Sequence, residues 1–129
     1  MEIVRGIYER WAGGELPWSG GALEAYDPDV EYAMPHPGLI AHGRDELVRL
    51  WRRYLGTWDT YRIELDEIRA VWDDQILVFA SEYVRGKGAG VETESHHGAV
   101  WTLKNGRVVR VQSYSDRQDA VEAVGLGRD

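Results

Sequence analysis

A histidine on a serine-flanked strand is the first group in this sequence that could move a proton. His97 lies in Val91–Asp116, which reads VETESHHGAVWTLKNGRVVRVQSYSD. Imidazole exchanges a proton near neutral pH, and an apolar setting with one oriented partner is where that exchange is useful. Asn105-Gly106 divides the stretch into a hairpin, because both residue types tolerate positive φ. Two turn geometries are open. With Asn105 and Gly106 alone as the loop, Trp101 shares a face with Arg110 and Gln112. With Lys104-Asn105-Gly106 as a three-residue loop ending in a bulge, Trp101 faces Val109, Ala99 faces Val111 and His97 faces Ser113. The second is preferred, since it gathers Trp101, Leu103, Val109 and Val111 on one face. That face carries His97 into an apolar setting, with Ser95, Ser113 and Ser115 nearby. The competing reading of His97 is an interior or interface histidine with satisfied hydrogen bonds or, if the other turn geometry holds, an outward-facing one.

Further candidates are weaker. Tyr32, Met34 and His36 share one strand parity. Tyr32 could orient a substrate oxygen and His36 could serve as a second acid/base; their plain readings are a core tyrosine and a loop histidine between Pro35 and Pro37. His96 points away from His97 by strand alternation, so the pair cannot readily hold one metal, and no metal site is expected. Glu64, Asp66, Glu82 and Glu94 lie on predicted strands. Any one facing inward would be a strong base, because burial raises a carboxylate's pKa. Their facing stays open, and pairing with Arg62, Arg69 or Arg85 on a solvated face is the competing reading. Gly86-Lys87-Gly88-Ala89-Gly90 lacks the Lys-Ser/Thr ending and the following helix of a phosphate loop. No cofactor is expected.

These groups need elements to hold them. Glu2–Ala12 shows helical spacing and stops at Gly13-Gly14. Ala22–Tyr26 reads as a helical turn broken by Asp27-Pro28-Asp29, and Val30–Met34 as a half-buried strand with Val30, Tyr32 and Met34 inward. Pro35–Gly38 bends the chain. A helix runs from Gly43 to Gly56, with Asp45 and Glu46 in its first turn and an apolar stripe of Leu47, Leu50, Trp51, Tyr54 and Leu55. Trp58–Trp72 and Gln75–Gly86 read as strands around an Asp73-Asp74 turn, and Asp116 caps a last helix through Val124. Helices early and a strand meander late predict an α+β fold: a cone-shaped, curved antiparallel sheet with the N-terminal helices on its concave face. Its interior is the expected ligand site, walled by Trp11, Met34, Trp51, Tyr54, Trp58, Trp101, Val111 and Ser113.

The 129 residues suffice for one domain, spanning 1–129. A net charge of −7 disfavours nucleic-acid backbones. No membrane span or secretory signal is legible, which leaves the cytoplasm as the expected compartment. The absence of cysteine excludes thiolate chemistry and disulfides. Six Trp and seven Tyr against one Phe favour surfaces that are apolar in body and polar at the tip, as in ligand clefts and interfaces.

The chain resembles the nuclear-transport-factor-2-like superfamily, in particular its SnoaL-like branch. The residues that carry the resemblance are Ile7-Tyr8-Glu9-Arg10-Trp11-Ala12-Gly13-Gly14, Asp29-Val30-Glu31-Tyr32, His42-Gly43-Arg44-Asp45-Glu46-Leu47, Val100 to Val109, and Tyr114-Ser115-Asp116. It implies a cone-shaped pocket and a homodimer paired through the outer sheet face. The ketosteroid isomerases of this superfamily use a tyrosine on the first helix and two aspartates. Here Ile7, Met34 and Ala99 occupy those places, and Tyr8 is one residue off. The Asp-Arg-Asp set of its epoxide hydrolases has no counterpart, since Ser113 and Ser115 stand on the last strand. Cyclase or dehydratase chemistry through His97 and His36 stays open. The expected function is cofactor-independent acid/base catalysis, of isomerase, cyclase or dehydratase type, on a small apolar molecule. The alternative is a non-catalytic module that holds a hydrophobic ligand.

Overall fold

Val4, Tyr8 and Trp11 recur at helical spacing, and that stripe is the buried face of α1 (Glu2–Ala12). The computed structural model describes residues 2–13, 20–35, 39–88 and 90–125. A 3-10 turn (Gly20–Ala25) leads into β1 (Tyr26–Ala33), then β2 (Ile40–His42) and α2 (Arg44–Leu55). β3 (Trp58–Ala70), β4 (Gln75–Gly86), β5 (Glu92–Lys104) and β6 (Arg107–Tyr114) follow, and α3 (Arg117–Ala123) closes the described chain. Gly13 and Gly56 follow the two long helices, as the sequence predicts. Asp116 caps α3 by accepting from the Gln118 backbone N–H at 2.8 Å.

The six strands form one curved, unclosed sheet in the order β2-β1-β6-β5-β4-β3. Every neighbouring pair is antiparallel except β1 with β6, which run parallel. That pair departs from the wholly antiparallel sheet expected. A parallel pair needs a long crossover, and everything from β2 to β5 supplies it here. The edge strand β2 escaped the sequence reading because three residues cannot display an alternation. It is held by Ala41 pairing with Tyr32 and by the Gly43 N–H donating to Val30 O at 2.7 Å. Gly43 sits at φ 86°, where a side chain would be strained, and turns the chain into α2. β1 also begins earlier than expected. Its ladder with β6 is irregular between Tyr26 and Glu31, and Pro28 is tolerated in that gap.

Bulges bend the sheet. Leu65 pairs with Ala80 and Glu67 with Phe79, so Asp66 is an extra residue. Below it Ile63 and Leu65 face inward; above it Ile68 does. This parity switch explains why the β3 stretch alternates only partly. The β5–β6 turn also differs from the preferred geometry. Lys104 pairs with Arg107, so Asn105 and Gly106 alone form the loop, at φ 54° and 77°. The bulge falls later, where Val109 is extra between Val108, paired with Leu103, and Arg110, paired with Thr102. Beyond it Trp101 opposes Val111 and Ala99 opposes Ser113, two residues off the expected pairing but with the same facing. Val108 rather than Val109 enters the core.

α1 and α2 pack inside the curve, α2 through Leu47 and Trp51, over Val30, Ile63, Val78 and Trp101. α3 lies on the opposite face, where Ala120 and Val124 meet Leu77 and Val100. The N-terminal helices therefore lie on the concave face, as the sequence suggested, and the C-terminal helix covers the other. Gly98 permits this seating: a Cβ there would come 2.7 Å from the Cβ of Ala120. Covering both faces also explains why Ile76, Leu77 and Val78 are all buried in succession.

Candidate functional site

Strand register builds the site. Ile76, Val78, Ala80 and Glu82 share the inner face of β4, and Ser95, His97, Ala99 and Trp101 share that of β5. Ala80 pairs with His97 and Glu82 with Ser95, so Glu82 and His97 are diagonal neighbours on one face. His97 Nδ1 lies 3.3 Å from Glu82 Oε1, with side-chain exposures of 12% and 15%. The pair is at ion-pair distance without hydrogen-bond alignment. From α2, the Tyr54 hydroxyl donates to Glu82 Oε2 at 3.0 Å. The result is a run of three polar groups, Tyr54–Glu82–His97, at the edge of an aromatic core.

Burial pushes the His97 pKa below its ordinary value of 6.5; the Glu82 carboxylate opposes that shift, and the Arg117 charge reinforces it. The imidazole is thus neutral near pH 7, the form that accepts a proton. Tyr54 is pushed up by burial first and by the neighbouring Glu82 charge, so it stays a phenol and a donor.

These groups border a cavity of about 160 Å³. α1, α2 and β1 supply an aromatic wall of Tyr8, Trp11, Tyr32, Trp51 and Tyr54, with Met34 and Pro35 beside it. Trp11 and Trp51 meet edge to face, 4.6 Å between centroids and 89° between planes. The opposite wall carries Glu82, His97, Ser95, Ser113 and Ser115. Tyr8 accepts a hydrogen bond from the Trp101 indole N–H at 3.1 Å, which leaves its own hydroxyl proton for another acceptor. Burial raises its pKa, against that bond, and keeps it protonated.

Of the residues singled out from sequence, His97, Tyr32, Trp11, Met34, Trp51, Tyr54 and Ser113 border this cavity. Trp101 and Val111 do not; both are fully buried behind it, Trp101 supporting Tyr8. Trp58 also stands off the wall, its ring edge-on to Tyr54 at 6.1 Å. His36 falls outside the described residues. Glu82 proves to be the inward carboxylate. Glu64 pairs with Arg62 and Glu94 with His96, and Asp66 meets Arg117 and Ser81 on the outer face. Glu82 shares the parity of Ile76, Val78, Ala80 and Val84, but the equally apolar Leu77 and Phe79 between them hide that parity in the sequence. Tyr8, one residue off the superfamily's tyrosine position, also borders the cavity. It sits one turn from Val4 and Trp11 on the same buried stripe, which was the signal.

Among the described residues no cluster of three or more His, Asp or Glu could hold a metal ion, and no helix is long and apolar enough to cross a membrane.

A model of the SnoaL-like domain matches residues 4–111. No curated protein matches the sequence. An NTF2-like protein of unknown function from Burkholderia pseudomallei K96243 is similar in structure, with a TM-score of 0.76, 27% identity, and 97% of this chain and 96% of that one covered. TerC, co-crystallised with polyporic acid, has a TM-score of 0.73 at 19% identity, covering 95% of each chain. A proposed polyketide cyclase from Xanthomonas campestris pv. campestris has a TM-score of 0.68 at 21% identity, covering 96% of this chain and 95% of that one.

Proposed function

The chain belongs to the SnoaL-like domain family, and on that premise we propose that it is a cofactor-independent acid/base enzyme acting on a small ring-containing molecule in this cavity. The observation that carries the proposal is the meeting of Glu82 with His97 at the cavity wall. Glu82 orients the ring through Nδ1 and leaves Nε2 for the ligand. Neutral His97 accepts a proton from a carbon beside a carbonyl. The electron pair moves onto the carbonyl oxygen as an enolate, and the imidazolium is balanced by Glu82. Tyr8 donates its free hydroxyl proton as a hydrogen bond to that oxygen, and Tyr32 confines the ring. The proton then returns to a different carbon, which is an isomerisation; in a cyclisation the enolate carbon adds to a second carbonyl of the same molecule and the proton passes to the alkoxide formed; in a dehydration a β-hydroxyl leaves with the proton as water. The likeness to a proposed polyketide cyclase agrees with this reaction class. His36 keeps its proposed part as a second acid/base.

The test does not need the natural substrate. Cyclic enones such as 2-cyclohexenone are incubated with the protein in D₂O, and deuterium entry at carbon is followed by NMR. Exchange above the buffer rate that disappears in His97→Gln supports the proposal. Exchange that persists in that folded variant removes His97 from the role. Absent exchange with retained binding leaves a ligand-holding module. We further propose that two copies pair through the outer sheet face not covered by α3; a monomeric mass by light scattering refutes this.

A further inference from the structure

We propose that the cavity selects an uncharged molecule presenting a single oxygenated six-membered ring, and that it rejects anions and broad fused polycycles. The inference rests on the same cavity being the ligand site, and it extends that reading to the ligand's class.

Three observations carry it. The first is size. A cavity of about 160 Å³ is close to the roughly 150 Å³ of a cavity known to hold benzene. One ring with small substituents fills such a space, and a fused four-ring body does not. The packed core behind it limits expansion: Trp101 and Val111 are fully buried, and Trp101 is tied to Tyr8.

The second is charge. Glu82 is the one acidic side chain among the described lining residues, and no Lys or Arg stands with it. His97 is held neutral by burial. A carboxylate or phosphate ligand would meet a half-buried negative charge with no cation to offset it.

The third is the division of polarity. The helices and β1 furnish aromatic faces, of which Trp11 and Trp51 form a right-angled corner suited to a flat ring. β5 and the end of β6 furnish the hydroxyls of Ser95, Ser113 and Ser115. A ring seated in the corner turns its oxygen substituents toward the serines and His97. A hydrocarbon would leave those groups without partners.

Three probes of related chemistry separate these terms: resorcinol, benzoate and 1-hydroxypyrene. Binding is read by saturation-transfer NMR and by quenching of tryptophan fluorescence, at pH 7.5. Resorcinol is expected to bind at least about tenfold tighter than benzoate, while 1-hydroxypyrene neither binds nor displaces it. Glu82→Gln is expected to bring benzoate to within about threefold of resorcinol, because the repelling charge is gone. Benzoate or 1-hydroxypyrene binding the wild type as well as resorcinol overturns the inference, and so does the lack of any resorcinol signal. Its failure is distinct from failure of the catalytic reading. Resorcinol binding without deuterium exchange removes proton transfer alone, and exchange on a fused polycyclic ketone removes the size limit alone.

Discussion

Replacing Glu82 by Gln keeps shape and removes one charge, and the structure sets how far His97 should respond. Oε1 is 3.3 Å from Nδ1, and both side chains are mostly buried. At an effective dielectric of about 20, Coulomb's law gives roughly 5 kcal/mol for a fully ionised pair at that distance. The cavity is open to solvent on one side, and the contact is not aligned as a hydrogen bond, so the realised coupling is a fraction of that. In the wild type, burial lowers the His97 pKa while Glu82 opposes it. Removing the carboxylate therefore drives the pKa further down. The assay is an NMR titration of the imidazole nitrogens in wild type and Glu82→Gln, with His97→Gln to assign the signals. The same spectra read the tautomer, and a proton on Nδ1, beside the Glu82 carboxylate, is the expected one. Tyr54 loses its carboxylate acceptor in the variant, so Tyr54→Phe is measured beside it; its effect on His97 should be much the smaller. A His97 pKa that is unchanged or rises in Glu82→Gln refutes the coupling, and with it the orientation of His97 that the proposed proton transfer requires.

Other consequences follow from the same contacts. Gly98→Ala places a Cβ 2.7 Å from the Ala120 Cβ, between two backbones that cannot easily part. It should cost about 1–3 kcal/mol, seen as a lowered thermal midpoint, and Gly98→Ala combined with Ala120→Gly should recover part of that loss. The Tyr26 hydroxyl is fully buried, with no hydrogen-bond partner among the described residues. Tyr26→Phe should therefore be neutral or stabilising by up to about 1 kcal/mol in urea unfolding; a clear loss would reveal a partner. His97 has a folded pKa below its ordinary 6.5, so the unfolded chain binds the proton more readily and stability falls as pH drops below about 6.5. Asp66 behaves as a lowered acid, burial being outweighed by its bonds from Ser81 and Arg117. Its contribution is present above its ordinary 3.8 and is lost as pH falls further. Urea midpoints at pH 7.5, 5.5 and 3.5 should resolve both windows, and His97→Gln should flatten the upper one alone.

Local pattern carried most of the element list. The α1 stripe, the Gly56 stop, the Asp73-Asp74 turn and the Asp116 cap depend on residues near one another in the chain, and each is where spacing and capping place it. The SnoaL-like motifs carried the cone fold in the same way, since they are short runs of fixed composition. What pattern could not carry was facing. One extra residue flips every side chain beyond it, and the extra residues Asp66 and Val109 stand in runs where no glycine or proline announces them. Covering both faces of β4 and β5 erased the alternation that would have marked Glu82 as inward, because Leu77 and Val100 are buried against α3 while Val78 and Trp101 are buried inside. The sequence alone thus determined which elements form and that a histidine stands on the hairpin. Only the assembled structure decided that Glu82 meets it and that Tyr54 meets Glu82, since strand pairing joins Glu82 to a residue 15 positions on, α2 brings Tyr54 to a residue 28 positions on, and the face they share is set by bulges and by the helix on the far side.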